Sequence, residues 1–226
     1  MIELGDGMIN ESGNILLDKT PDRILNAASE LIAELGYAGV SMRQIARKAG
    51  CNEATIYHYY AGKKELMTAI TQRIEAILNF PEIPYDEYKK SVLARVESLG
   101  LAGFLEQSLL QYINGAKKSK ADILWQVSVQ EQFVNPDVGN LTVCETDRVM
   151  NYAEKMFTIL QEAGFVDSSL DAKVLAWEFQ YGNRAIHQEL MIRERFNLNP
   201  EEMYRRHKDR IALFAKLIQK NEGFII

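Results

Sequence analysis

The sequence predicts an all-α fold in two domains, and three observations carry this prediction. Apolar residues recur at intervals of three and four along most of the chain, which is the spacing of helices that bury one face. Only five prolines interrupt the 226 residues, so few of these helices would be broken. With 47% apolar and 25% charged residues, the chain has the composition of a globular protein with a substantial core.

The net charge of −5 excludes a protein that holds nucleic acid by bulk positive charge. Positive charge is concentrated in one block, because residues 19–70 hold seven basic and five acidic side chains. Residues 1–18 and 71–226 are both net negative. Any nucleic-acid contact is therefore expected to be local and to lie in that block.

Several kinds of site are not expected. Cys51 and Cys144 are the only two cysteines, and they show neither a disulfide framework nor zinc-ligand spacing. The E-x-x-H, H-E-x-x-H, Gly-x-Ser-x-Gly and Walker patterns are missing, so we expect no metal, no cofactor and no enzymatic activity. Residues 1–17 lack a signal-like apolar core, and no later stretch approaches ~20 apolar residues. We therefore expect a cytoplasmic protein without a membrane partner.

Local start and stop signals divide the first third of the chain. Residues 1–18 hold three glycines and two asparagines and are predicted to be a flexible arm. Thr20 opens the first helix and Gly36 ends it. Ser41 and Gln44 form the S-x-x-Q capping box of a second helix. The four predicted helices run over 20–36, 41–50, 52–60 and 63–79.

The second and third of these helices are too short to bury a core alone, and the turn between them contains Gly50. Such a pair is a helix-turn-helix, whose second helix enters the DNA major groove. Ile56 and Tyr60 lie four residues apart in that helix and are expected to turn inward. The remaining side chains carry hydroxyl, imidazole and ring edges suited to phosphates and thymine methyl groups: Thr55, Tyr57, His58 and Tyr59.

A longer pattern surrounds this pair at fixed spacing: Gly36-Tyr37, Val40-Ser41-Met42-Arg43-Gln44-Ile45-Ala46, Ala49-Gly50, Thr55-Ile56-Tyr57-His58-Tyr59-Tyr60 and Lys63-Lys64-Glu65-Leu66. In this pattern the chain resembles the N-terminal domain of the TetR family of transcriptional regulators. The resemblance covers about residues 19–79. Beyond that range it is one of helix layout alone.

The resemblance implies where DNA contacts lie. Ser41 and Arg43 match residues that touch the DNA backbone, and Lys63 matches a lysine that holds a phosphate. Glu53 departs from the family pattern, since an acid close to phosphates should weaken binding. The full predicted set is Ser41, Arg43, Asn52, Ala54, Thr55, Tyr57, His58, Tyr59 and Lys63.

Residues 80–226 are predicted to form a second helical domain for ligand binding and dimerisation. Its helices are expected at about 85–98, 101–116, 119–134, 143–163, 168–195 and 200–220. TetR-like proteins hold a small-molecule pocket among the middle helices of this domain, which implies an effector of unknown identity. The residues expected to line it, each alone more typical of a helical core, are Phe104, Tyr112, Trp125, Val129, Trp177 and Tyr181.

The helices at 143–163 and 168–195 match in order and length the pair that dimerises in the family as a four-helix bundle. Each carries an apolar stripe: Val149, Met156, Leu160 and Ala163 on the first, and Ala172, Leu175, Phe179 and Ile186 on the second. At least one stripe must face the chain's own core. The sequence does not say which side meets a second subunit.

These features predict a homodimeric repressor that binds palindromic operator DNA through residues 19–79. A small-molecule effector in the second domain would release it. One alternative is a helical ligand-binding protein or enzyme in which the helix-turn-helix is structural only. Another is a regulator without a ligand that a protein partner controls.

Overall fold

Nine α-helices make up most of the residues described in this computed structural model, which are 8–9, 15–16, 20–78, 83–119 and 121–220. The helices are α1 Thr20–Gly39, α2 Met42–Lys48, α3 Glu53–Tyr59, α4 Lys63–Leu78, α5 Tyr85–Ser119, α6 Ala121–Glu131, α7 Pro136–Glu162, α8 Ala172–Arg195 and α9 Glu201–Ile218. The predicted all-α class is therefore confirmed. Within the described part, no helix is long and apolar enough to cross a membrane.

Two short strands precede the helices. β1 Met8–Ile9 pairs antiparallel with β2 Ile15–Leu16. The sequence assigned no fold to the predicted arm over 1–18, so this pair is a difference from the prediction. The other residues of that arm lie outside the described part of the chain.

The helices form two compact units. Unit 1 comprises the described residues of 1–79 and 120–142, and unit 2 comprises those of 80–119 and 143–226. The sequence-based boundary placed everything after residue 79 in the second domain, and here the structure differs. It assigns α6 and the start of α7 to unit 1, because Val127 and Val138 are completely buried in the core that α1 and α4 form.

Unit 1 is built around α1. Side chains on one face of this helix are buried at three- and four-residue spacing, as expected for an amphipathic helix: Ile24, Ala27, Ala28 and Ile32. Gly36 has φ 71° and ψ 159° and interrupts the helix where the sequence predicts its end. Glycine adopts this positive φ without a Cβ clash.

Unit 2 packs α5, α7, α8 and α9 around a large apolar core, beside a smaller cluster of Leu109, Ile113, Leu190 and Met203. The rings of Phe157, Phe179 and Phe214 meet in the large core with centroids 5.7 to 6.2 Å apart. α5 is broken at Gly100, with φ 68°, at the predicted junction of two helices. α8 begins later than predicted, because Asp171 caps it by accepting the backbone N–H groups of the first turn.

Candidate nucleic-acid interface

α2 begins with the predicted capping box, which is confirmed. The Oγ of Ser41 accepts the backbone N–H of Gln44 at 3.3 Å, and the Gln44 side chain accepts the N–H of Ser41 at 2.8 Å. The pair satisfies two amides that a helix start leaves without partners. Arg43 is exposed on the turn that this cap holds in place.

The turn into α3 depends on Gly50 and Asn52. Gly50 takes a φ of 65°, which favours glycine, and the Cys51 N–H donates to the Ala46 carbonyl at 3.0 Å. Asn52 Oδ1 then accepts both the backbone N–H of Thr55 at 2.8 Å and its hydroxyl at 2.9 Å. Asn52 and Thr55, both predicted to bind DNA, therefore also cap α3.

Two inward-facing residues, one within α3 and one at its C-terminal cap, hold this helix against the rest of unit 1, and the other side chains of the helix are exposed or partly exposed. Ile56 is completely buried, and the half-buried Tyr60 donates its hydroxyl to the Pro21 carbonyl at 3.3 Å. The inward orientation predicted for both is confirmed. Tyr57 and Tyr59 expose 52% and 41% of their surface. The structure thus brings four predicted contacts to the exposed side of one helix: Ala54, Tyr57, His58 and Tyr59.

Lys63 has a more enclosed environment than the resemblance implied. Its Nζ donates to the carbonyl oxygens of Tyr37 at 2.5 Å and Val40 at 2.7 Å, and lies 4.2 Å from the centre of the Tyr37 ring. These carbonyls lie at the C-terminal end of α1, where the helix dipole attracts a cation. Because an ammonium has three donors, two already tie the start of α4 to the end of α1.

Two charged residues complete the surface of the helix pair. Glu53 is exposed in the first turn of α3, where a carboxylate suits the positive end of the helix dipole. This gives the acid that departs from the family pattern a local structural role. Arg47, which the sequence analysis did not single out, is exposed four residues after Arg43, so the two cations share a helix face. The four-residue spacing of Arg43 and Arg47 could have identified this pair of cations from the sequence.

A contact that sequence reasoning missed lies at the break in α1. The carboxylate of Glu131, a buried residue of α6, accepts the backbone N–H of Tyr37 at 2.7 Å, and the side chain of Gln130 donates to the Ala33 carbonyl. The paired residues are 94 and 97 positions apart in the chain. No local pattern could have signalled them.

The predicted ligand-lining residues are divided between the two units. Trp125 and Val129 lie on α6 in unit 1, whereas Phe104 is buried in the core of unit 2. The side chain of Tyr112 lies outside the described part. The structure does not gather these residues into one site within a unit. In the described part, no group of three or more His, Cys, Asp or Glu side chains is placed to hold a metal ion.

Apolar side chains of α8 and α9 are exposed in unit 2. Trp177 and Tyr181, also predicted to line the pocket, expose 42% and 61% of their surface. The large apolar side chains exposed on these two helices are Val174, Trp177, Tyr181, Ile192, Tyr204, Leu213 and Leu217. The stripes singled out in the sequence point the other way, because their main members are buried in the core of unit 2: Met156, Leu160, Leu175 and Phe179.

α2 and α3 are two short helices joined by a turn that contains Gly50. α3 is held by the inward-facing Ile56 and Tyr60 and exposes its other side. This arrangement defines a helix-turn-helix DNA-binding domain. Residues 24–70 match the family described as bacterial regulatory proteins, tetR family. Residues 24–70 therefore form a DNA-binding domain of the TetR family.

Similar proteins extend this match. An uncharacterized HTH-type transcriptional regulator of Mycobacterium tuberculosis is 42% identical over 52 residues, which are 23% of this chain and 26% of that relative. The chain thus matches about a quarter of that relative's length. A second such regulator, from Mycobacterium bovis, is 25% identical over 175 residues, covering 72% of this chain and 91% of the relative.

The fold is shared with solved structures. The complex of SmeT with triclosan superposes with a TM-score of 0.59 at 15% identity, covering 91% of this chain and 94% of the other. SmeT is the repressor of the Stenotrophomonas maltophilia multidrug efflux pump SmeDEF.

Proposed function

We propose that this protein is a repressor that binds a two-fold symmetric DNA operator as a homodimer and leaves it when a small molecule binds. The observation that carries the proposal is the construction of α3. Ile56 and Tyr60 hold the helix, while Tyr57, His58 and Tyr59 remain exposed on it. A helix held in this way gives its outer side chains fixed directions, which reading of the major groove requires.

The predicted DNA-binding residues take different roles in this proposal. Arg43, with Ser41 beside it, contacts phosphates at the start of α2, because both are exposed there. Tyr57 and His58 reach base edges or thymine methyl groups from α3. Asn52 and Thr55 keep the helix in register through their mutual hydrogen bonds.

Dimerisation follows from the symmetry of the proposed operator. One chain has one α3, and half-sites on the same DNA face lie about 34–36 Å apart, so a second copy is required. The surface that we assign to this contact consists of five exposed side chains of α8 and α9: Val174, Trp177, Tyr181, Leu213 and Leu217. Burying large apolar residues of this kind is the main driving force of homodimer formation.

Release by a small molecule requires a difference in affinity between two conformations. A ligand that lowers operator affinity about 100-fold must favour the non-binding conformation by about 2.7 kcal/mol. The chain passes between the units after residues 79, 119 and 142, so three covalent connections are available to carry this coupling. A break in the helical chain at Phe80-Pro81 would let α4 swing in this coupling, and these two residues lie outside the described part of the chain. The SmeT–triclosan complex supports the proposal, since it is a structure of this fold with a bound small molecule.

Selection from random duplexes tests the DNA-binding part. The full chain should enrich a two-fold symmetric sequence with weak residual affinity for random DNA. Tyr57→Ala should then lose more affinity on the selected duplex than on random DNA, by about 1–3 kcal/mol. The matched control is Tyr204→Ala, which removes an exposed tyrosine from unit 2 and should leave both affinities unchanged. Recovery of no sequence even at low salt would refute the proposed function.

A further inference from the structure

The main chain of Tyr37, at the break in α1, is held from both sides by charged side chains. Its N–H donates to the carboxylate of Glu131 at 2.7 Å, and its carbonyl oxygen accepts from the Lys63 ammonium at 2.5 Å. A negative charge thus faces the positive end of one peptide dipole, and a positive charge faces the negative end of the next. Glu131, Tyr37 and Lys63 together are named the Tyr37 clamp. The clamp joins three helices, because Glu131 lies on α6 and Lys63 begins α4.

Side chains of α6 also fix the break itself. The Gln130 side chain donates to the Ala33 carbonyl. A Cβ on Gly36 would lie 3.4 Å from the Gln130 Oε1 and 3.8 Å from the Glu131 Oε1, so these two side chains lie directly on the main chain of α1. The course of the chain from Ala33 to Tyr37 is therefore set by α6 as well as by α1.

Packing alone does not account for the charge of Glu131. Only 5% of this residue is exposed, and a buried carboxylate is unfavourable unless charge-assisted hydrogen bonds compensate for its desolvation. An apolar side chain of similar size would fill the same volume without that penalty. What the carboxylate adds is a strong, directional acceptor for one particular N–H. Glu131 therefore fixes the position of the Tyr37 main chain.

The position of Tyr37 affects α3 through Lys63. The second acceptor of the Lys63 ammonium is the Val40 carbonyl, at 2.7 Å, so both acceptors lie at the C-terminal end of α1. Residues 60–62 alone separate the end of α3 from Lys63. A shift at the end of α1 therefore moves the start of α4 and, with it, the end of α3. Hydrogen bonds weaken steeply when their geometry is lost, so base contacts from Tyr57 and His58 depend on this placement.

We propose that Glu131 is a positioning residue for operator recognition, which acts on α3 through Tyr37 and Lys63. The family match covers residues 24–70, and the chain returns to unit 1 with α6 only after residue 119. The part of the protein that reads the operator is thus incomplete without α6, although α6 itself need not touch DNA. The effect on operator affinity rests on the proposed function, whereas the clamp depends only on the geometry of unit 1.

Operator and random-duplex affinities of the full chain separate positioning from stability. Glu131→Leu keeps the side-chain volume and removes the acceptor. At a temperature where circular dichroism shows every variant folded, it should lower affinity for the selected duplex about 10-fold, the loss expected for about one base contact. Affinity for random duplexes should fall by less than about 2-fold, and the salt slope should not change, because no phosphate contact is lost. The control Glu75→Leu, which removes an exposed carboxylate of α4, should change neither affinity.

The conservative variant Glu131→Gln tests the role of the charge. Its amide oxygen can still accept the Tyr37 N–H, but more weakly than a carboxylate, so operator affinity should fall by only about 3-fold. This variant also decides the question if Glu131→Leu does not fold. A loss of about 3-fold that is confined to the operator would then support the proposal, and an operator affinity equal to that of the wild type would overturn it.

A double-variant cycle tests whether the two charges act through the same residue. Lys63→Ala and Glu131→Leu should each weaken operator binding. The double variant should bind about as weakly as the weaker of the two single variants, because either change already releases Tyr37. Losses that multiply would show that Glu131 and Lys63 act independently and would overturn the clamp.

Two further results would overturn the positioning role: unchanged operator affinity in Glu131→Leu, or equal losses on operator and random DNA. If the wild type enriches no duplex, the proposed function fails, and amide hydrogen exchange tests the clamp without DNA. The Tyr37 amide should exchange about 10-fold faster in Glu131→Gln than in the wild type. The Tyr60 amide, which donates to the Ile56 carbonyl at 2.9 Å, should be unaffected. Equal exchange of the Tyr37 amide in both proteins would refute the clamp itself.

Discussion

Substitution of Lys63 tests whether this lysine stabilises the helix-turn-helix or contacts DNA. Its Nζ donates to the carbonyls of Tyr37 and Val40 at 2.5 and 2.7 Å and lies 4.2 Å from the Tyr37 ring centre. Hydrogen bonds from a charged group contribute about 1.5–3 kcal/mol each, and partial exposure places these at the low end. The cation–π contact with the Tyr37 ring adds ~0.5–1 kcal/mol. Lys63 also places a positive charge at the start of α4, which the helix dipole disfavours, and removing that charge recovers about the same amount. We expect Lys63→Ala to destabilise unit 1 by about 2–3 kcal/mol.

Fluorescence can assign this loss to unit 1. The chain has two tryptophans, and Trp125 is the one in unit 1. In a Trp177→Phe background, urea unfolding followed by the remaining indole therefore reports on that unit. Lys64→Ala is the matched control, because it removes a neighbouring exposed lysine and should change stability by less than about 0.5 kcal/mol.

Salt dependence of operator binding separates the two roles of Lys63. If the lysine only positions α4, Lys63→Ala weakens binding without changing the slope of log K against log salt. Loss of a phosphate contact would instead flatten that slope by about one unit. An undiminished stability together with a flatter slope would refute the positioning role derived from the structure.

Three further results are expected. Glu131→Ala should destabilise unit 1 by about 1–3 kcal/mol, because it leaves the buried N–H of Tyr37 without its acceptor; urea unfolding measures this, and a neutral effect would contradict it. Tyr181→Glu should yield a folded monomer in sedimentation, since it places a charge in the proposed apolar contact; a persistent dimer would exclude that surface. Burial lowers the pKa of His207, so unit 2 should be most stable above about pH 6.5 and lose stability as the pH falls below it. His207→Gln should remove that dependence, and the exposed His58→Gln should not; an unchanged pH profile in the first variant would refute it.

Local signals explain what could be predicted of the fold and the site. The capping box of Ser41 with Gln44 and the inward direction of Ile56 and Tyr60 depend on residues three or four positions apart. Such pairs are neighbours on any helix, whatever the rest of the chain does. The helix breaks at Gly36 and Gly100 were also visible, because glycine accepts a positive φ at little cost.

The sequence by itself determined the helical class, the positions of most helices and the residues that α3 exposes. Only the tertiary structure decided which carbonyls hold Lys63, that α6 packs with α1 in unit 1, and which side of α8 stays outside. An amphipathic pattern states that a face is buried but not against what. Glu131 and Tyr37 are 94 residues apart in the chain, so they come into contact only through the tertiary packing of α6 against α1.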